Sequence, residues 1–284
     1  MDILKTKADM QAWSAGKKKQ GKTISFVPTM GYLHKGHVSL LEIGRPLSDE
    51  LVLSIFVNPT QFGPNEDLDA YPSNIQNDLD MALKAGVTAV FLPDKNEMYG
   101  PGYQTHVSLD RLPQYLCGRS RPVHFGGVAT VVTKLFNIVM PDVAVFGKKD
   151  FQQLAVIRQM VKDLDFNIRI VGGEIIREED GLAMSSRNAY LTPEQRASAV
   201  CLSRAIGLLK QRVAQGVRSV PDLVREMEAF IHSFDHTRID YIELCHPHTL
   251  EPVETILEET LVALAVQVGK SRLIDNALIE PESN

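Results

Sequence analysis

The sequence predicts an α/β fold in which an open parallel sheet with crossover helices precedes a smaller α+β unit. Strand-like runs alternate with helical segments through the N-terminal part of the chain, which is typical of a parallel sheet. After Ile176 the pattern changes to long helices followed by strands. Because 284 residues exceed what one small core organises, we expect two domains, residues 1–177 and residues 178–284.

Composition and charge exclude several classes of function. Hydrophobic residues make up 44% of the chain and charged residues 23%, as in ordinary globular proteins. Neither a membrane-spanning run nor a signal segment stands out, so we expect a cytoplasmic protein without a membrane partner. A net charge of −5 argues against nucleic acid as a partner but permits a local pocket for small anions. Three widely spaced cysteines suit reduced thiols, and we interpret Lys17–Lys19 as a solvated turn.

The predicted sheet consists of five short runs rich in β-branched and aromatic residues. Pro28 is expected to end the first run, and Pro72 to open a helix that ends at Gly86. The segment Gly126–Met140 is ambiguous between strand and helix, although its length and apolar spacing favour a helix. The five runs are Ile24–Val27, Leu51–Val57, Val87–Leu92, Val143–Phe146 and Ile168–Val171.

The C-terminal part begins with a helix signal at Thr192–Gln195, where a capping box includes proline at the first helical position. The amphipathic stretch after it runs to about Gln215, and a second helix covers Val220–Ser233. Two strands are predicted at Ile239–Leu244 and Leu261–Val268, with a third possible at Arg272–Ile274. These elements predict a small α+β unit.

The most informative segment is the turn after the first strand, which contains two histidines three residues apart. Gly31 and Gly36 allow close backbone approaches, and a helix is expected to begin near Gly36. His34 and His37 would then lie at a helix N-terminus, where backbone N–H groups favour a phosphate. By spacing alone, His-x-x-His is as often a solvated helix face and more rarely half of a metal site. The strand, glycines and helix around it favour the phosphate interpretation.

Ligands of open parallel sheets bind beyond the carboxyl ends of the strands, so the loops that follow strands are candidate sites. Asn58–Gly63 follows one strand, and Gly147–Asp150 follows another, with Gln153 one helical turn later. Met184–Asn188 offers hydroxyl donors and a cation at the predicted domain junction. Each segment also has a plain structural interpretation as a turn or a helix cap. Functional interpretation depends on their convergence.

Four segments together resemble the pantothenate synthetase family, and Leu273–Asn276 adds to the resemblance. The segments cover most of the chain in the family's order, whereas His-x-Gly-His alone would indicate only the wider nucleotidyltransferase superfamily. They are Pro28–His37, Phe56–Gly63, Phe146–Gln153 and Asp180–Asn188.

The resemblance implies a Rossmann-like nucleotidyltransferase domain, a smaller C-terminal lid domain and a homodimer. It also implies an AMP-forming ligase that uses ATP with Mg²⁺. In the first step the carboxylate of pantoate attacks the α-phosphorus of ATP, giving pantoyl adenylate and pyrophosphate. In the second step the amine of β-alanine attacks the activated carbonyl, giving pantothenate and AMP.

The resemblance also assigns residues to roles. His34, His37, Lys149 and Arg187 would be catalytic; the family's general acid corresponds to His37, which we interpret as an electrostatic stabiliser because phosphate oxygens scarcely need a proton near neutral pH. Pantoate would contact Gln61, Gln153 and Asn58, with Gln61 also contacting β-alanine. Asp78 would hold the magnesium ion, and Arg121 and His124 would lie near the site or be structural. The ATP site would comprise Met30, Gly31, Tyr32, Leu33, His34, Lys35, Gly36, His37, Gly147, Lys148, Lys149, Asp150, Ile176, Met184, Ser185, Ser186 and Arg187.

Two other functions fit parts of the pattern. A nucleotidyltransferase acting on a phosphorylated acceptor would share the histidine turn, but such an acceptor calls for arginine or lysine where Gln61 and Gln153 stand. A non-catalytic nucleotide sensor could share the fold, because fold does not fix function. The complete set of His34, His37, Lys149 and Arg187 argues against a sensor.

Overall fold

The computed structural model describes residues 1–64 and 66–281, and its N-terminal part is built on a six-stranded sheet whose strands are all parallel. The order across the sheet is β1-β4-β3-β2-β5-β6, so β2 and β3 are central. This arrangement confirms the predicted α/β class. The strands are β1 Asp2–Leu4, β2 Ile24–Thr29, β3 Glu50–Ile55, β4 Ala89–Phe91, β5 Val143–Gly147 and β6 Arg169–Gly173.

Strand β2 runs two residues past the end predicted from Pro28. Its pairing with β3 continues through Pro28 opposite Ser54 and Thr29 opposite Ile55. Pairing with β5 on the other side covers only Ser25 and Phe26. Pro28 lies beyond the end of this pairing, so its missing N–H interrupts no ladder with β5. The proline is therefore tolerated in a central strand.

Helices cover both faces of the sheet. Two separate clusters of buried apolar side chains result, one around Phe26, Phe91 and Phe136 and the other around Leu41 and Leu53. The helices of this part are α1 Lys7–Lys19, α2 Lys35–Gly44, α3 Ile75–Lys84, α4 Lys95–Met98, α5 Cys117–Ser120, α6 His124–Val139 and α7 Phe151–Asp163.

The basic run at Lys17–Lys19 is the last turn of α1, so its interpretation as a solvated turn is wrong. Lys17 forms an ion pair with the buried Glu50 at 2.7 Å, and Lys18 forms one with Asp142 at 2.5 Å. Cations in the last turn of a helix also interact favourably with its dipole.

The segment that was ambiguous between strand and helix is the helix α6, as its length favoured. Most of its residues are buried, including Phe136, whose ring packs edge-on against Phe26 at 6.5 Å between centroids. Met140 caps the C-terminal end of the helix: it adopts the left-handed conformation with φ of 49° and donates its N–H to the carbonyl of Phe136.

Over its described residues, the C-terminal part contains three α-helices and a three-stranded antiparallel sheet in the order β7-β8-β9. The capping box predicted at Thr192–Gln195 is present, but the helix after it is divided at Val200. The third strand, predicted only at Arg272–Ile274, extends to Ile279. The elements are α8 Pro193–Ala199, α9 Cys201–Ala214, α10 Val220–His232, β7 Thr237–Cys245, β8 Thr260–Val268 and β9 Ser271–Ile279.

The chain forms two compact units, each with its own core. The first comprises residues 1–110, 121–148 and 153–174, and the second comprises residues 111–120, 149–152 and 175–284. The division into residues 1–177 and 178–284 stays a prediction. Within the described ranges, no helix combines the length and the apolar character needed to cross a bilayer.

Candidate active site

The turn between β2 and α2, in the first unit, places two imidazoles at a helix N-terminus. His34 is the N-cap of α2, and its Nδ1 accepts a hydrogen bond from the backbone N–H of Gly36 at 3.1 Å. The Nδ1 of His37 accepts the N–H of His34 at 3.3 Å, which completes a reciprocal capping box. The ring centroids lie 4.0 Å apart.

These contacts favour one tautomer of both histidines. A ring nitrogen that accepts an N–H carries no proton, so each neutral imidazole carries its proton on Nε2. An imidazolium would place a second proton on Nδ1, facing a backbone N–H. The capping box therefore favours His34 and His37 as neutral Nε2–H donors.

The two residues before His34 donate backbone hydrogen bonds to Asp78, in the first turn of α3. The Asp78 side chain is fully buried, and its Oδ2 accepts the N–H of Tyr32 at 2.8 Å while its Oδ1 accepts the N–H of Leu33 at 2.7 Å. Leu33 is itself a core residue. The backbone N–H groups of Tyr32 and Leu33 are thus directed at a carboxylate of the protein, although both residues were expected to line the ATP site.

The contacts of Asp78 do not fit the magnesium ligand expected from the sequence. A Mg²⁺ ligand needs an accessible oxygen and usually shares the ion with several waters, but both oxygens of Asp78 are buried and bonded to backbone N–H groups. Among the described residues, no group of three or more His, Cys, Asp or Glu side chains could hold a metal ion.

A second turn of the first unit, the 3₁₀ turn Pro59–Gln61 after β3, carries the predicted acid-binding amide. Asn58 caps this turn and is 1% exposed. Its Nδ2 donates to Gln61 Oε1 at 3.1 Å and to the carbonyl of Gly127 at 3.1 Å. With its oxygen accepting from Asn58, the Gln61 side chain presents its Nε2 as a donor, and this atom lies 3.1 Å from Met30 Sδ. The Gln61 turn and the histidine turn therefore adjoin through Met30.

Asn58 is held in turn by two hydroxyl groups. Its Oδ1 accepts from Tyr99 at 2.8 Å and from Thr60 at 2.9 Å. Burial raises the pKa of Tyr99 to about 12, which keeps its hydroxyl protonated as the donor. Every polar atom of the Asn58 side chain is thus bonded within the protein. Asn58 therefore orients Gln61 within the protein, and its direct contact with pantoate stays a prediction.

The backbone of Gln61 is fixed by the two residues whose roles the sequence left open. His124 Nδ1 lies 3.0 Å from the Gln61 carbonyl oxygen, to which Arg121 also donates at 3.4 Å. Arg121 is oriented by a bidentate pair with Glu66, at 2.7 and 2.5 Å. Burial acts to raise the pKa of Glu66, but hydrogen bonds and charge from Arg121 outweigh it and lower the pKa overall. Arg121 and His124 thus support the Gln61 turn.

Other expected site residues of the first unit lie at strand ends or on helix surfaces. Lys35 is exposed in the first turn of α2, and Gln153 is half-buried in α7. Gly147 ends β5, and Lys148 after it forms an ion pair with Glu174.

The remaining expected residues belong to the second unit, where side chains of β9 form hydrogen bonds with two segments, one at Lys149 and one at Arg177. Asn276 Nδ2 donates to the carbonyl of Lys149 at 2.8 Å. Asp275, which is 2% exposed, accepts two hydrogen bonds from Arg177 at 2.7 and 2.9 Å. Arg177 also donates to the carbonyl of Gly181. Neighbouring residues of one strand therefore position both the Lys149 backbone and the segment that follows Ile175.

That segment forms a short hairpin ending in the serine-rich turn. Ile176 accepts the N–H of Met184 at 2.9 Å, and the hairpin reverses at Gly181, whose φ of +93° suits glycine. Ser185 caps the next 3₁₀ turn by accepting the N–H of Arg187 at 3.3 Å. Ser186 is buried and Asp150 is exposed.

Three supporting residues were missed by sequence reasoning: Glu66, Tyr99 and Gly127. A Cβ on Gly127 would lie 2.4 Å from the carbonyl oxygen of Thr60, so this glycine lets α6 approach the Gln61 turn. Glycine inside a helix is itself a signal of close packing and could have been read. Glu66 and Tyr99 gave no comparable signal, because their partners are distant in sequence.

A six-stranded parallel sheet with a histidine-capped helix after a central strand defines a nucleotidyltransferase-like α/β protein. The model of the Pantoate-beta-alanine ligase family matches residues 2–278. The chain therefore belongs to the pantoate–β-alanine ligase family.

Individual relatives agree over nearly the whole chain. A pantothenate synthetase of Desulfatibacillum aliphaticivorans is 60% identical, covering 99% of this chain and 100% of its own length. The crystal structure of pantothenate synthetase from Thermus thermophilus matches with a TM-score of 0.94 at 41% identity, covering 99% of this chain and 100% of that one. Pantoate-beta-alanine ligase from Francisella tularensis, solved with β-γ ATP and β-alanine, matches with a TM-score of 0.81 at 32% identity, covering 100% of this chain and 99% of that one.

Proposed function

We propose that this chain condenses pantoate with β-alanine at the expense of ATP, giving pantothenate, AMP and pyrophosphate through a pantoyl-adenylate intermediate. The observation that carries the proposal is the Gln61 amide, oriented by Asn58 and adjoining Met30 of the histidine turn. A neutral Nε2–H donor placed beside a phosphate-binding turn can aim a carboxylate at a nucleotide. The ATP and β-alanine of the Francisella tularensis complex support the choice of substrates.

In the first step, a carboxylate oxygen of pantoate forms a bond to the α-phosphorus of ATP, and the bond from that phosphorus to the pyrophosphate oxygen breaks. Negative charge spreads over the phosphoryl oxygens, so catalysis consists of positioning and electrostatic stabilisation. His34 and His37 supply Nε2–H donors, and Lys149 and Arg187 supply positive charge. An amide at Gln61 orients the carboxylate while preserving its nucleophilicity, which a bidentate arginine would reduce.

In the second step, the neutral amine of β-alanine forms a bond to the pantoyl carbonyl carbon, the bond from that carbon to the phosphate oxygen of AMP breaks, and the proton lost by the amine passes to solvent. Gln61 is proposed to contact β-alanine as well as pantoate, with Gln153 as the second amide for pantoate. The nucleotide is proposed to contact Met30–His37 and Gly147–Asp150, together with Ile176 and Met184–Arg187.

Three further properties belong to this proposal. Magnesium would enter with ATP and neutralise charge on its phosphates, held by phosphate oxygens and water and not by Asp78. A cytoplasmic location agrees with three cysteines that are all free and buried. A homodimer is proposed from the family resemblance, and light scattering on the purified protein would test it.

Isotope exchange with purified protein tests the two-step reaction. Pantoate alone should support exchange of labelled pyrophosphate into ATP, because adenylate formation is reversible before β-alanine arrives. Sustained AMP release should require pantoate and β-alanine together. Absence of exchange in folded protein that still forms pantothenate would reject the adenylate intermediate, and exchange supported by a phosphorylated acceptor in place of pantoate would favour the alternative nucleotidyltransferase function.

A further inference from the structure

Asp78 is a buried carboxylate whose two oxygens both accept hydrogen bonds from the same turn. Its side chain is fully buried, and its two oxygens accept the consecutive N–H groups of Tyr32 and Leu33 at 2.8 and 2.7 Å. The hydrogen bonds span 46 and 45 residues of sequence, from α3 to the turn before α2. A buried ionised group needs such partners, because burial without them is strongly unfavourable.

The turn that Asp78 contacts has a backbone conformation that needs support. Gly31 has φ of +85°, and Tyr32 has φ of +52°, in the left-handed region that residues with a Cβ rarely adopt. A Cβ on Gly31 would lie 3.0 Å from Ile55 Cγ2 and 3.1 Å from Asp78 Oδ2, so the turn packs directly on these side chains. The two hydrogen bonds that the N–H groups of Tyr32 and Leu33 donate to Asp78 compensate for the unfavourable conformation at Tyr32.

The turn leads directly into the capping box. His34 follows Leu33, and its own N–H donates to His37 Nδ1. Any rotation of the Leu33 peptide would therefore change the position of His34 and the ring that it orients. We infer that Asp78 is a positioning residue of the ligase reaction, which holds the turn that places His34 and His37, and that it is not a magnesium ligand. The catalytic part of this inference rests on the proposed function, whereas the structural part does not.

The test compares Asp78→Asn with Asp80→Asn. Asp80 is an exposed carboxylate on the same helix, so its variant removes the same charge without touching the turn. In Asp78→Asn, an NH2 group replaces one of the two accepting oxygens and cannot accept the N–H that faces it, so the backbone amides of Tyr32 and Leu33 should exchange hydrogen at least about tenfold faster. The control should leave both exchange rates unchanged.

Kinetics separate positioning from metal binding. Asp78→Asn should lower kcat by about 100-fold through misplaced histidines, at a temperature well below its unfolding transition. The KM for pantoate and the Mg²⁺ concentration for half-maximal activity should each change less than about twofold. Asp78→Glu keeps a carboxylate but cannot fit the same two donors, so it should show the same loss.

Three results would overturn the inference. One is a tenfold higher Mg²⁺ requirement in Asp78→Asn with unchanged amide exchange; another is full activity in Asp78→Glu. If neither variant folds, the wild-type protein decides, because exchange of its Tyr32 and Leu33 amides as fast as in an exposed loop would contradict the anchoring. The two claims can also fail separately. If the wild-type protein has no ligase activity, but its Tyr32 and Leu33 amides are protected and lose that protection in Asp78→Asn, the proposed function is rejected and the anchoring by Asp78 stands.

Discussion

At the scale of single residues, polar side chains in this protein fall into two groups that the sequence does not separate. One group presents atoms that suit a ligand, as Gln61 does with its Nε2. In the other group, represented by Asn58 and Asp78, the side chain is at most 1% exposed and each of its polar atoms is hydrogen-bonded within the protein. Residue type predicts that a carboxylate or an amide is present, but the direction of its hydrogen bonds decides what it does.

Replacing Gln61 by alanine should affect pantoate far more than ATP. The loss of a hydrogen bond to a carboxylate should lower kcat/KM for pantoate by about 10- to 100-fold. The KM for ATP should change less than about twofold, since the hydrogen bond of Gln61 to the histidine turn goes to the side chain of Met30 and not to either histidine. Initial rates with each substrate varied in turn measure both effects.

Gln76→Ala is the matched control, because Gln76 is exposed on α3 and bonds to its neighbour Asp80. It should behave as the wild type. Equal losses for pantoate and ATP in Gln61→Ala would mean that Gln61 contacts the nucleotide and that its pocket is misassigned.

At the scale of elements, the Gln61 turn is built against the N-terminal end of α6. The carbonyl of Gly127 accepts from Asn58, and the space above its Cα is filled by the Thr60 backbone. Helix α6 also contributes His124, whose ring contacts the Gln61 carbonyl. The sequence predicted both elements, but only their packing shows that one supports the other.

Gly127→Ala should disturb this packing. Its Cβ would lie 2.4 Å from the Thr60 carbonyl oxygen, so backbone must move. We expect the free energy of unfolding to fall by about 1–3 kcal/mol, and the KM for pantoate to rise as the Gln61 turn shifts. Chemical denaturation and steady-state kinetics measure the two effects.

Gly126→Ala provides the control one residue earlier in α6, where an added Cβ meets nothing within 4 Å. Alanine is also the better helix former, so this variant should be as stable as the wild type or more stable by up to about 1 kcal/mol. Similar behaviour of the two variants would contradict the close approach at Gly127.

At the scale of the whole molecule, each of the two units combines an apolar core with hydrogen bonds and ion pairs that fix its loops. In the second unit the connection is the pair of Arg177 with the buried Asp275. Asp275 lies on β9, so a residue near the end of the chain fixes the hairpin that leads to Met184–Arg187. Sequence reasoning noted Asp275 only as part of the family resemblance.

Arg177→Ala should destabilise the second unit strongly. It leaves the Asp275 carboxylate buried without its charged partner, which should lower the free energy of unfolding by about 3 kcal/mol. Arg225→Ala removes an exposed pair with Asp222 and should lower it by less than about 1 kcal/mol. Urea denaturation measures both, and equal effects would show that solvent compensates Asp275.

The sequence by itself determined the fold class, most of the elements and the turn with two histidines. These depend on local patterns: apolar runs, glycines and caps are readable over a few residues. The short β1 and the helix α1 escaped because their apolar patterns are weak, and Pro28 misled because its sheet neighbours were unknown.

Only the tertiary structure decided what the polar residues of the site do. Asp78 meets the Leu33 backbone across 45 residues, and Asn276 meets Lys149 across 127. Such partners are set by how the elements pack, and no local pattern records them. A buried carboxylate and a ligand-binding carboxylate have the same letter in the sequence, because burial and hydrogen-bond direction are properties of the folded chain.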